Sequence, residues 1–282
     1  LKIGISLIFC NLKEYPFMFG ITRLALMSLL NSDLVSYNYK LVIVDNASTD
    51  ESIRWIKNNI KNEVDIISLP ENKGIAKARN IANSHLLKHY DCDYIIEIHN
   101  DMVFPKVWLS PLVEIMERDK EKKIGMICSG LITPKGFWGS PKYALRDEEI
   151  LNKGFESIQS EITDIAQKTY RDKISRGLQH PFLKRKEAYL PYNEDFEGSN
   201  FEDTLDLFMI EKNGYKSLVT LKSFVFHNYH STRIILSGNK WNEYYYNNKK
   251  IFEDKLKEFG EDPKIWNKNL EEDLKKVYAY ES

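Results

Sequence analysis

The apolar run Tyr94 to Ile98 breaks into His99, Asn100 and Asp101 before hydrophobic residues resume at Met102. Similar polar interruptions follow Asp45, in Asn46 to Asp50, and Leu69, in Pro70 to Gly74; further along stand Glu202-Asp203 and His227. Carboxylates and imidazoles accept protons, hold divalent cations and bond hydroxyl groups. Each has a structural alternative, because Asp caps helices and closes turns and an isolated His is more often a packing residue. Only convergence makes them a site, and that depends on the elements that carry them.

Ile3 to Phe9, Lys40 to Asp45, Val64 to Leu69, Tyr94 to Ile98 and Ile124 to Ser129 are short apolar runs, the pattern of strands buried on both faces. Between them the helical period returns. Ser48 and Glu51 have capping-box spacing at the head of one helix, and Ile75, Ala78, Ala82 and Leu86 share a face after Gly74. Strand starts spaced by roughly 25 to 40 residues belong to repeated βαβ units, which predicts an open, mostly parallel sheet with helices on both sides. Ligands of such sheets sit beyond the carboxyl ends of the strands, where all three interruptions fall. Glu202 to Tyr215 reads as a helix stopped at Gly214, and the C-terminal part as two amphipathic helices split near Gly260 and Pro263.

The 282 residues, 43% hydrophobic and 12% aromatic, suffice for one large α/β domain or two small ones. Lys plus Arg (40) nearly cancels Asp plus Glu (41), so no whole-chain field recruits nucleic acid or anionic lipid. Cys10, Cys92 and Cys128 are odd in number and far apart, which argues for buried thiols in a reducing compartment rather than a disulfide framework or zinc ribbon. The N-terminal apolar stretch is too short to span a bilayer. These features predict a cytoplasmic protein, with no transmembrane helix and no internal repeat.

The motifs "VIVDNASTDES" (Val42 to Ser52), "ENKGIAKARNIA" (Glu71 to Ala82), "IHNDMVFP" (Ile98 to Pro105), "FEDTLDLFMIEKNGY" (Phe201 to Tyr215) and "VFHNYHS" (Val225 to Ser231) come in an order and spacing that resemble inverting family 2 glycosyltransferases. The resemblance covers the first half of the chain and Glu197 to about Phe259. It implies a GT-A fold: an α/β, Rossmann-like open sheet flanked by helices, with a helical acceptor-side insertion and C-terminal helices. Residues 1–130 would form the nucleotide-sugar-binding half, 131–235 the acceptor-binding and catalytic half of the same domain, and 236–282 a helical extension. Implied partners are a nucleotide-sugar donor and a glycan or protein acceptor. No nucleic acid is expected, and the C-terminal helices are available for a homodimer contact or peripheral attachment at the inner face of a membrane.

Site residues follow from the same resemblance. Asp45 would contact the nucleoside, and Asn72, Gly74, Arg79 and Asn80 match an Asn-x-Gly…Ala-Arg-Asn element at the phosphates, where Arg79 either contacts them or braces the crevice. The head of the following helix offers amide groups and a positive dipole to charge. His99-Asn100-Asp101 stands where the family usually has Asp-x-Asp, which makes Asp101 the expected ligand of Mn2+ or Mg2+ and leaves His99 and Asn100 toward the donor. Imidazole there favours Mn2+. His227 would be the second metal candidate, with His230 as alternative. Asp203 would be the general base of a single-displacement transfer; Leu205 replaces a second family Asp, and Asp206 reads as surface or cap. Trp138 or Tyr143, in the stretch 131–196 assigned to acceptor choice, could stack on a sugar. The departures at His99 and Leu205 motivate a rival reading, a degenerate non-catalytic domain that binds a glycan or partner. A nucleotidyltransferase would need a Gly-rich, Arg-containing loop after strand one, which "CNLKEYPF" does not supply.

Overall fold

A computed structural model describes residues 1–60, 64–228 and 241–279. Among the described residues nine strands form one sheet: β1 (Lys2–Phe9), β2 (Asn38–Asp45), β3 (Val64–Ser68), β4 (Tyr94–His99), β5 (Met102–Val103), β6 (Ile124–Ile132), β7 (Ile174–Arg176), β8 (Phe182–Arg185) and β9 (Lys216–His227). Their order is β3-β2-β1-β4-β8-β6-β9-β5, with β7 also paired to β9. The first four strands of that order run parallel, as the βαβ spacing predicts. The helices are α1 (Pro16–Leu30), α2 (Ser52–Asn59), α3 (Gly74–Tyr90), α4 (Leu109–Arg118), α5 (Asp147–Asn152), α6 (Phe155–Thr169), α7 (Glu202–Lys212), α8 (Trp241–Glu258) and α9 (Pro263–Tyr278).

The period-two alternation of side chains explains why the central strands are apolar throughout. Ile5, Leu7, Ile43 and Ile96 point to the face covered by α1 and α4, while Ile8, Val42, Val44 and Ile95 meet Ala78, Ala82 and Leu86 of α3. Gly4 lets α3 close on β1, since a Cβ there would come within 3.0 Å of the Leu86 side chain. A third cluster joins β6 and β9 to α6, α7 and the C-terminal helices, whose Phe252, Leu256, Trp266 and Leu274 are buried. All three cysteines are free and buried.

Several expectations give way. β3 is an edge strand whose residues are at most half-buried. The Ser48–Glu51 capping box does not form: α2 starts at Ser52, and the Ser48 hydroxyl instead accepts the Asn11 amide at 2.9 Å. The expected helical acceptor-side insertion contains α5 and α6 but also the strands β7 and β8. Asp206 is buried, paired with Lys184 of β8 at 2.6 Å. That pair and Glu97, 3.7 Å from the Lys184 ammonium, are what let the charged sequence Phe182-Leu183-Lys184-Arg185 sit between β4 and β6 in the middle of the sheet. Among the described residues one segment, Pro16–Ser36, is long and apolar enough to cross a membrane by length and composition; 56% of its apolar window is buried here, packed as α1 against the sheet.

Candidate active site

Strand register brings the first cluster together. β5 pairs antiparallel with β9, setting Met102 opposite His227, and the Asn228 amide donates to the Asp101 carbonyl at 2.9 Å. The turn that leaves β4 is thereby laid against the end of β9. His227 Nε2 lies 3.1 Å from Asp101 Oδ1, both side chains less than 10% exposed, and donor atoms of His99, Asp101 and His227 all fall within 4.8 Å of one another. Burial holds the His99 imidazole well below its ordinary range, with repulsion from His180, His227 and Arg79 adding to the effect. His99 is therefore neutral and able to act as a ligand.

This donor set fits a divalent cation. Two neighbouring ligands on roughly 2.1 Å bonds at a right angle stand about 3 Å apart, close to the Asp101–His227 separation. Two imidazoles beside one carboxylate suit Mn2+ better than Mg2+, which prefers oxygen alone. His230 lies outside the described residues.

A second aspartate–histidine pair stands beside the first. His180, next to the start of β8, stacks on His99 with ring centroids 4.1 Å apart and brings Nε2 to 3.3 Å from Asp203 Oδ2. Asp203 opens α7, which follows Phe201 in the left-handed region (φ +66°) and Gly198 (φ +62°), so the chain reverses sharply just before the carboxylate. Burial raises the Asp203 pKa, but the His180 hydrogen bond and the Thr204 amide outweigh it, leaving the group below its ordinary value. Its neighbour Glu202 goes the other way. Burial first and the Asp203 charge second push it up to about 8, and its Oε2 has no hydrogen-bond partner among the described residues. At neutral pH the pair divides into an ionised Asp203 and a protonated Glu202.

Both clusters open on one cavity of about 1240 Å³, walled by Cys10 and Asn46 on one side, by the segment Glu194–Thr204 on another, and by Tyr244 and Tyr245 of α8. Gly74 enters α3 with φ +77°, and Asn72 Oδ1 receives both the Gly74 amide and the Asn46 side chain at 2.9 Å. The head of α3 is not wholly open to an anion, because the Ile75 amide donates to the Gly198 carbonyl at 2.9 Å. Lys73 and Lys77 line the cavity.

Other expected donor residues are placed differently. Arg79 is 2% exposed and turned into the protein, donating to the Ser6 and Ile98 carbonyls at 2.7 and 2.6 Å; it braces β1 against β4 and does not line the cavity. Asp45 takes the Ser48 amide at 2.9 Å, the turn that its sequence context also allowed, and Asn46 reaches the cavity wall in its place. Asn100 borders the cavity, but its side-chain amide donates inward to Thr22 and Asn11. Asn80 clamps the Tyr192 backbone through both its amide nitrogen and its oxygen. Neither Trp138 nor Tyr143 reaches the cavity; Tyr143 bonds Glu161 at 2.6 Å and packs on Phe226. Sequence reasoning missed His180, Tyr244 and Tyr245. The only available signal was a histidine just ahead of an apolar pair in "HPFLKR", and aromatic repetition in "EYYY".

Comparison with known proteins identifies the fold and the family. No curated protein sequence matches the chain. Among solved structures, S. aureus TarS 1-349 superposes with a TM-score of 0.57 at 15% identity, covering 91% of this chain and 65% of that one. GalNAc-T7 with UDP, GalNAc and Mn2+ gives 0.58 at 17% identity over 81% of this chain and 44% of that one. The mannosyltransferase PcManGT of Pyrobaculum calidifontis, in complex with GDP-Man and Mn2+, gives 0.53 at 15% identity, covering 82% and 58%. The chain thus spans less than two thirds of each of these, and at such identities they establish the GT-A fold. The pattern described as Glycosyl transferase family 2 matches residues 21–170, more than half of the sequence. The chain belongs to glycosyl transferase family 2.

Proposed function

We propose that the protein is a metal-dependent inverting glycosyltransferase that moves a sugar from a nucleoside diphosphate donor, a UDP-sugar, to a hydroxyl of a glycan or protein. The observation that carries this reading is the shared cavity: His99, Asp101 and His227 lie on one flank and an ionised Asp203 on the other. TarS with UDP-GlcNAc and GalNAc-T7 with UDP and Mn2+ support the choice of donor and metal. Residues 1–130 then serve mainly the donor and 131–235 the acceptor.

Asp101, His227 and His99 would hold Mn2+, which supplies charge to stabilise the diphosphate leaving group. Lys77 adds positive charge along the same wall, where Lys73 is paired with Glu71. In the transfer the acceptor oxygen forms its bond to the anomeric carbon as the carbon–phosphate-oxygen bond breaks on the opposite face. The hydroxyl proton passes to Asp203, and the electron pair of the broken bond leaves with the nucleoside diphosphate. Glu202, neutral beside it, adds no second negative charge against Asp203.

Titrating UDP-sugars with and without Mn2+, and following donor hydrolysis, tests the reading. Metal-dependent nucleotide binding is the expected result, and no nucleotide binding under any metal condition would end it. Product anomeric configuration, read by NMR, should be opposite to that of the donor.

A further inference from the structure

We propose that His180 is a positioning residue that fixes the Asp203 carboxylate for proton transfer, an inference that rests on Asp203 being the base. The His180 ring is held between His99, at 4.1 Å, and Phe182, at 4.7 Å between centroids, and its side chain is only 9% exposed. Its Nε2 reaches Asp203 Oδ2 at 3.3 Å. The other carboxylate oxygen, Oδ1, accepts the Thr204 amide at 2.7 Å and the Thr204 hydroxyl at 3.3 Å.

The two contacts do different things. Thr204 binds Asp203 from within the same helix turn, and a carboxylate held by one oxygen can still swing about its broad terminal torsion. His180 grips the second oxygen from the entry to β8, a separate element, and closes off that rotation. Among the described residues no other group donates to Oδ2. The tautomer follows from the surroundings. His180 Nδ1 is buried with no hydrogen-bond partner among the described residues, so a proton placed there would be an orphaned donor while Nε2 turned a lone pair toward a carboxylate. The proton therefore sits on Nε2 and is donated to Asp203. One lone pair of Oδ2 is used in this way, and the second stays available for the acceptor hydroxyl. Because Nε2 is engaged by Asp203, His180 is excluded from the cation cluster even though its ring stacks on one member.

The test is a double-mutant cycle in the transferase assay, with His180→Ala, His180→Gln, Asp203→Asn and the His180→Ala/Asp203→Asn pair, each checked for native circular dichroism. Loss of the grip is expected to lower kcat about 10-fold to 100-fold, with the donor KM and Mn2+-dependent UDP affinity unchanged. His180→Gln, which keeps an N–H donor, should recover part of that loss and serves if the alanine variant folds poorly. In the Asp203→Asn background, removing His180 should cost nothing further, because it acts through the carboxylate. An equal loss with and without Asp203, or a parallel loss of UDP affinity, would overturn the positioning role. If Asp203→Asn collapses turnover but both His180 variants keep the wild-type rate, only the His180 inference falls; wild-type turnover in Asp203→Asn removes the base assignment as well.

Discussion

Asp101–His227 and Asp203–His180 are chemically the same pair on the same cavity, separated by the ring of His99. Their scaffolds differ. The first is assembled by strand pairing, which fixes both backbones, buries both side chains below 10% exposure and brings in a third donor. The second joins a helix start to the entry of a strand, leaves Asp203 30% exposed to the cavity, and sets a protonated carboxyl beside it. On the proposed reading, identical functional groups would serve as a closed cation seat in one place and an open proton acceptor in the other. Exposure and neighbours decide the role.

The comparison can be broken at either pair. Asp203→Asn should lower kcat by about 10²–10⁴ while Mn2+-dependent UDP binding persists by calorimetry, whereas Asp101→Asn should abolish that binding. The reverse pattern would exchange the two roles. The buried Lys184–Asp206 pair is an internal control, since it neither lines that cavity nor belongs to the His99–Asp101–His227 cluster. Asp206→Ala removes the hydrogen-bonded partner of the buried Lys184 ammonium and leaves it only Glu97, at 3.7 Å; it should cost about 3 kcal/mol of stability in denaturant unfolding, far more than Asp203→Asn costs in the same experiment.

Smaller effects sharpen the contrast. His227→Ala, which leaves His99 and Asp101 in place, should raise the Mn2+ concentration needed for half-maximal UDP binding by about 10-fold to 100-fold; an unchanged requirement would take His227 out of the cation site. Glu202 gives the weakest and most pH-specific signal. Its folded pKa is raised from the ordinary 4.5 to about 8, so the stability it contributes is fully present below pH 4.5 and is lost as pH rises through 8. Wild type should therefore lose stability relative to Glu202→Gln across that window in thermal unfolding. A pH-independent difference would show that Glu202 titrates normally.

The two pairs were unequally legible in the sequence. Asp101 stands out because an apolar strand pattern breaks just before it, and Asp203 because it lies at the start of a helical run that stops at Gly214. The strands β1 to β4 and β6 could be read for the same reason, each being a continuous apolar run. β8 could not: a strand carrying Lys184 and Arg185 looks like surface until Asp206, Glu97 and the Tyr94 hydroxyl are brought to it from other elements. Arg79 is ambiguous in the sequence, open to a phosphate contact or to bracing the crevice, and the structure makes it a brace. A cation near a Gly-turn suggests phosphates, yet its partners are carbonyls of β1 and β4, which no local pattern announces.

The sequence by itself determined the parallel half of the sheet, the helices around it and the strand-end positions of Asp45, Asp101 and the Asn72–Gly74 turn, because hydrophobic period and turn chemistry are local properties. Only the tertiary structure decided that Arg79 faces inward, that His99 joins Asp101 and His227, and that His180 meets Asp203. Those outcomes depend on β8 inserting between β4 and β6 and on β5 pairing with β9, contacts between segments far apart in the chain. Side chains brought together by such pairings share no spacing that a one-dimensional reading could detect.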